Sequence, residues 1–106
     1  MQEKEKQKTD TFLDKLVNNP EEFKEFISKL SAEIHKNKGQ PLTIPRIEDA
    51  IRKVYGIYEI LPPDLDLIQS QFEDLVNSNM VAINESSLGT HMRRLIGQHR
   101  MELYAR

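Results

Sequence analysis

The sequence contains no cysteine among its 106 residues. Without cysteine the chain cannot form a disulfide, use a catalytic thiolate, or bind zinc or an iron–sulfur cluster through sulfur. Glycine is also sparse: the four glycines stand apart at positions 39, 56, 89 and 97, so no glycine-rich loop is present to hold a phosphate. No serine lies in a nucleophile elbow. We therefore expect no catalytic residues, no cofactor and no enzymatic activity.

Long hydrophobic runs and an excess of one charge are missing as well. No segment approaches the roughly 20 apolar residues of a membrane span. The charged residues 1–8 lead into no apolar stretch of the kind found in signal peptides. Seventeen acidic and fifteen basic residues give a net charge of -2, which provides no overall attraction to nucleic acid or to a membrane surface. We expect a cytoplasmic protein that does not bind a membrane.

The length of the chain suits one domain with a single core. Residues 1–9 include five charged side chains and nothing apolar after Met1. Such a segment has no means of docking onto a core. The sequence therefore predicts a disordered charged tail at 1–9 and a single helical domain at 10–106.

Within that domain, the spacing of apolar residues and the stop signals predict helices. The clearest start is at Asn19, which can cap a helix that has Pro20 in its first position and Glu22 three residues after the cap. We predict an all-α fold, a compact bundle of four to five short amphipathic helices. The helices are expected from Asp10 to about residue 17, from Pro20 to about residue 36, over 45–57, over 63–77, and beginning after Ser86 or Ser87. At most one minor extended segment is expected, near 80–83, with 42–44 as its only pairing candidate.

Histidines and paired acids offer little chemistry. His91 and His99 are eight residues apart, about 12 Å along a helix, which is too far for both to bind one metal ion. His99 lies on an apolar helix face, which favours a core-edge histidine that is hydrogen-bonded to a carbonyl or carboxylate. His99 with Glu102 resembles half of a metal-binding pair at i, i+3, but the helical bundles that hold two metal ions need that pair twice and two more carboxylates. Asp64 and Asp66 belong at a helix start, and we predict no metal site.

The helices predicted at 45–57 and 63–77 resemble a helix-turn-helix arrangement. Their charge argues against DNA binding in that mode. Residues 41–83 contain three basic and seven acidic side chains, a net charge of -4, and the second helix opens with aspartates where phosphate contacts are required.

The C-terminal segment, residues 84–106, is different because it contains four arginines and two glutamates. Glycine costs a helix up to roughly 1 kcal/mol relative to alanine, so two glycines in one helix require a reason. One interpretation is that a helix, a strand or a phosphate approaches the backbone there. The other is a helix packed tightly within its own domain, with solvated arginines. The candidate partner-binding residues are Gly89, Arg93, Arg94, Gly97, Arg100 and Tyr104.

The sequence supports two functional hypotheses ahead of a third, an enzyme, which would require His99 to titrate with an abnormal pKa in a pocket. The first is a small non-catalytic regulatory or adaptor protein that acts through helix-mediated contacts with a protein partner or with itself, a homodimer being one way to cover an apolar stripe that a small core leaves open. The alternative is a nucleic-acid-binding regulator that uses Arg93, Arg94 and Arg100 of the C-terminal helix, with help from the N-terminal lysines 4, 6 and 8. That alternative requires steep salt dependence, because each phosphate contact releases counterions.

Overall fold

Five α-helices account for most of the residues that the structure describes. The computed structural model describes residues 2–104, and its helices are α1 (Gln2–Val17), α2 (Pro20–Ile34), α3 (Ile44–Ile57), α4 (Leu65–Asn77) and α5 (Glu85–Leu103). None of the residues 2–104 is in a strand. The predicted all-α helical bundle is confirmed.

Side-chain caps set three of the helix starts. The Asn19 side-chain oxygen accepts hydrogen bonds from the backbone N–H groups of Glu21 and Glu22, both at 3.2 Å. Thr43 caps α3 in the same way, and Asn84 caps α5 by accepting from the Ser87 N–H at 2.7 Å. Because Asn84 is the cap, α5 begins at Glu85, two residues or more before the predicted start.

The N-terminal segment differs from the prediction of a disordered tail at 1–9. Residues 2–9 are the first half of α1, while Met1 lies outside the described residues. The physical reason is Thr9, which is fully buried and whose hydroxyl accepts a hydrogen bond from the Leu61 N–H at 2.9 Å. This contact, together with the buried Leu13 and Leu16, fixes α1 against the rest of the fold, and the charged side chains before it remain on the surface.

The core lies between α2, α3 and α5. α2 packs on α1, α3 and α5, while α5 packs on α1, α2 and α4. The predicted apolar face of the last helix is buried, and the side chains of Phe26, Tyr55 and Phe72 fill the centre. α5 is therefore held from three sides, which leaves one long face of it at the surface.

The segment 80–83 is irregular rather than a strand. It makes one backbone hydrogen bond with the other extended candidate, from the Leu42 N–H to the Met80 carbonyl at 2.7 Å. His35 holds it as well, because its Nε2 accepts from the Ile83 N–H at 3.1 Å while its Nδ1 lies 2.9 Å from the Ser31 carbonyl. These contacts connect the loop before α5 to the end of α2.

Candidate interaction face on the last helix

The six candidate residues on α5 do not share one environment. Gly89 is buried against α2, and a Cβ atom at that position would lie 3.5 Å from Cε2 of Phe23, an ordinary contact distance. Gly89 therefore lies in the contact between α5 and α2, where the methyl group of an alanine would also fit.

Arg93 lies at the edge of the same contact. Its guanidinium carbon is 4.2 Å from the centroid of the Phe23 ring, a cation–π arrangement. The two residues line a groove of about 330 Å³ between the start of α2 and the start of α5. Arg93 is exposed, yet its planar group is already packed on an aromatic ring of its own chain.

Arg100 is engaged within the fold. Its Nε donates to Asp10 over 2.7 Å, and its Nη1 is 3.2 Å from Asp14. Both acids belong to α1, so Arg100 connects the first helix to the last. The hydrogen bond with Asp10, the largest contribution, raises the pKa of the guanidinium above its usual value. Two of its three nitrogens therefore already face carboxylates of the same chain, which leaves less of the guanidinium to bind an external phosphate.

The remaining candidates face outward. Arg94, Gly97 and Tyr104 are exposed, and the spacing of an α-helix places Met101 in the same row. We call these four residues the outer α5 face. Met101 is 76% exposed and Tyr104 is 52% exposed. Arg94 makes no ion pair with any residue of the described chain.

Gly97 is the least explained residue of this face. A Cβ atom there would meet nothing within 4 Å, and its backbone does not have the positive φ that favours glycine. It borders a depression of about 360 Å³ that is also lined by Asp10, Arg100 and Met101. Within residues 2–104, neither packing nor backbone conformation requires a glycine at this position.

Met101 is the functional candidate that sequence reasoning missed. The signal was present: it lies four residues after Gly97 and three before Tyr104, which places it on their side of the helix. The structure shows it to be the most exposed large apolar side chain among the described residues.

His99 lies in the core, as its apolar face predicted, but its Nδ1 has no hydrogen-bond partner among the described residues. The hydroxyl of Tyr55 is unpaired in the same way, and the two rings are 5.9 Å apart. Burial lowers the pKa of His99 to about 4, against a smaller opposing effect of the Asp64 charge. Burial also raises the pKa of Tyr55. Both side chains are therefore neutral at pH 7.

Ligand-type residues do not converge elsewhere in the described part of the chain. His91 stacks on Phe72 with ring centroids 5.3 Å apart, and its Nδ1 lies 2.9 Å from the Ser87 carbonyl. Across residues 2–104, no group of three or more histidine, aspartate or glutamate side chains is placed to hold a metal ion. Nor does any helix in this range have the length and apolar composition to cross a membrane.

Comparison with known proteins gives no relative: no family model matches the chain, and neither a curated protein nor a solved structure matches it. The function of the chain is therefore inferred from the chemistry of its own surfaces.

Proposed function

We propose that this protein is a small non-catalytic regulatory or adaptor protein, and that its outer α5 face binds a helical or extended segment of a protein partner. The observation that carries the proposal is Gly97. A glycine inside a helix costs about 1 kcal/mol relative to alanine, and nothing in the described fold accounts for it. A partner backbone that approaches α5 closely from outside would account for it.

The neighbours of Gly97 support the same conclusion. Methionine and tyrosine are enriched at protein interfaces, where methionine adapts to irregular surfaces and tyrosine combines an apolar ring with a polar end. Met101 and Tyr104 are one residue of each type, and both are exposed at the C-terminal end of the outer α5 face. Arg94 lies at the other end of this face. The depression beside Gly97 gives a partner side chain a place to insert.

The environments of the arginines favour a protein partner over nucleic acid. Two carboxylates bind Arg100, and Arg93 packs on Phe23, so Arg94 is the only arginine of the candidate set with neither kind of contact among the described residues. If only Arg94 is available to bind phosphate, the helix makes few phosphate contacts. The affinity for nucleic acid depends on the number of such contacts.

The matched pair Gly97→Phe and Gly56→Phe tests the proposal. Both glycines are exposed in helices, and a Cβ atom at either position would meet no atom within 4 Å among the described residues outside the adjoining backbone of its own helix. The tagged full-length variants would be compared with the original protein by quantitative co-purification from cells. We expect Gly97→Phe to lose a partner that Gly56→Phe retains. If Gly97→Phe retains every partner that the original protein binds, the outer α5 face is not the binding surface.

The nucleic-acid alternative has its own measurement. Sedimentation with a random-sequence DNA duplex at about 50 and 200 mM salt detects binding and its salt dependence. A complex that forms at low salt, dissociates at the higher salt and is lost in Arg94→Glu would favour that alternative. We expect no complex at either salt concentration.

A further inference from the structure

A second surface lies away from α5, between α1 and the end of α3. It is a groove of about 530 Å³. We call it the lysine groove, and its lining residues are Lys4, Gln7, Lys8, Thr11, Phe12, Lys15, Tyr58 and Ile60. Three of these side chains are cationic and none is acidic. An occupant should therefore be anionic and should also carry an apolar group.

The floor of the groove is aromatic. The ring centroids of Phe12 and Tyr58 are 4.8 Å apart, and those of Phe26 and Tyr58 are 5.8 Å apart. Lys29 also packs on the Tyr58 ring, with its Nζ 4.9 Å from the centroid and 3.1 Å from the hydroxyl. Three side chains already pack against the half-buried Tyr58, so a stacked nucleic-acid base would have to compete with them for its ring. An aliphatic side chain of a protein segment suits this floor better.

The lysines of the groove are weakly neutralised. Lys8 lies 3.7 Å from Glu59 and Lys15 lies 4.0 Å from Glu22, and in these pairs only Glu22, at 39%, is less than half exposed to solvent. Exposed ion pairs at such distances contribute little to stability. Lys4 has no acidic partner among the described residues. The positive potential of the groove therefore remains available to an external acid.

The same chain carries a surface of opposite charge. No lysine or arginine occurs from Val54 to Met92, whereas six acidic residues do. α4 is the centre of this region, and its outward side chains include Asp66, Glu73 and Leu65, the last of which is 43% exposed. We call these three residues the acidic α4 surface. α4 packs on α3 and α5 and makes no helix contact with α1, so this surface is not used to cover the lysine groove of its own copy.

The spacing of the charges matches as well. Lys8 and Lys15 are seven residues apart on α1, and Asp66 and Glu73 are seven residues apart on α4. Seven residues are two helical turns, about 10.5 Å, so each pair lies along one side of its helix with the same separation. Two helices laid side by side can therefore oppose both charge pairs at once.

From these observations we infer that the acidic α4 surface of one copy of this chain docks along the lysine groove of a second copy. Asp66 and Glu73 face Lys8 and Lys15, and Leu65 contributes an apolar side chain to the aromatic floor. The contact joins two different surfaces, so repeated use of it gives a closed ring or a chain of copies. The low net charge of -2 places little general repulsion between copies. This association uses residues separate from the outer α5 face and goes beyond the function proposed for that face.

Sedimentation velocity of the full chain over a range of concentrations tests this inference. We expect the sedimentation coefficient to rise with concentration at about 50 mM salt. Exposed charges are screened within about 10 Å at 0.1 M salt. The apparent dissociation constant should therefore increase at least about tenfold when the salt is raised from about 50 to about 300 mM. A chain that remains monomeric at low salt up to the highest soluble concentration would overturn the inference.

Charge reversal identifies the surfaces. Lys8→Glu with Lys15→Glu, and separately Asp66→Lys with Glu73→Lys, should each weaken association at least about tenfold, as like charges then face each other. Mixing the two double variants should restore it, because opposite charges meet again. The matched control is Lys36→Glu with Lys38→Glu, which changes the net charge as the first variant does but lies just after the end of α2. Circular dichroism confirms that each variant is folded.

Two results would contradict docking between copies. One is association that is weakened equally by the control and by the groove variant, which would indicate a general charge effect. The other is a monomer that binds a single-stranded oligonucleotide and loses it in the groove variant, which would assign the lysine groove to nucleic acid. The Gly97→Phe variant should associate normally, so this test is independent of the outer α5 face.

Discussion

Arg100 and Asp10, ninety residues apart in sequence, form a hydrogen-bonded ion pair of 2.7 Å between the last helix and the first. Both side chains are mostly shielded from solvent, at 29% and 31% exposed. A charge-assisted hydrogen bond in such a setting is stronger than one on the open surface. The pair therefore fixes α1 against α5, and it explains why an arginine that the sequence placed in a binding face belongs to the fold.

Replacement of Arg100 should accordingly weaken the fold. We expect Arg100→Leu to lower the free energy of unfolding by about 1–2 kcal/mol, since Asp10 is left without its partner. Arg94→Ala, on the exposed side of the same helix, should change it by less than about 0.5 kcal/mol. Urea denaturation of both variants measures the difference. Equal stability of the two variants would mean that the ion pair does not hold α1.

Thr9 provides a test of the order of α1. Thr9→Val preserves the shape of the side chain but removes the acceptor for the Leu61 N–H, which should lower the free energy of unfolding by about 1–2 kcal/mol. Amide hydrogen exchange should show faster exchange of Leu61 in this variant. Thr11→Val, at an exposed position two residues further along α1, is the control. Unchanged exchange of Leu61 in Thr9→Val would argue that the contact is not formed in solution.

Acid should destabilise the protein through His99. Its pKa is about 4 in the fold and 6.5 in the unfolded chain, so the unfolded chain takes up the proton first as the pH falls. Stability from this residue is therefore complete above pH 6.5 and declines toward pH 4, with about 2 kcal/mol lost near pH 5. We would compare the free energy of unfolding at pH 7 and pH 5 for the original protein and for His99→Gln. The two proteins share every carboxylate, so the difference between their pH dependences isolates His99.

We expect His99→Gln to show the smaller loss between these two pH values, whatever its stability at pH 7. An identical loss in both proteins would mean that His99 is not buried in its neutral form. The Nδ1 of His99 has no partner among the described residues, and a buried polar atom without a partner is itself unfavourable. The stability of the two proteins at pH 7 is therefore compared separately from its pH dependence.

The start of α2 was predictable because its determinants are local. Asn19 caps α2 through the next few residues, and Pro20 follows in the position that suits it. The apolar face of α5 was equally readable from its spacing. The helical structure of residues 2–9 could not be predicted in this way, because the hydrogen-bond partner of Thr9 is 52 residues away in the sequence.

The candidate site was predictable only in part, for the same reason. The row of glycines and arginines on α5 could be read from spacing, but the partners that engage Arg93 and Arg100 come from α2 and α1. The lysine groove could not be foreseen, because Phe12 and Tyr58 meet only in the folded chain. Contacts between distant segments decide which surface residues are free, and local patterns do not contain that information.

Gly97→Ala separates the two explanations for that glycine. If nothing inside the fold requires it, alanine should raise the free energy of unfolding by about 0.5–1 kcal/mol, because alanine is the better helix former and its methyl group meets no neighbour. The same change at Gly56, in the last turn of α3, should raise it less, because helix ends are less ordered. A partner that needs the backbone of α5 should bind the more stable Gly97→Ala protein more weakly. If alanine instead destabilises the protein, the glycine serves the fold itself, and the main support for the outer α5 face as a binding surface is lost.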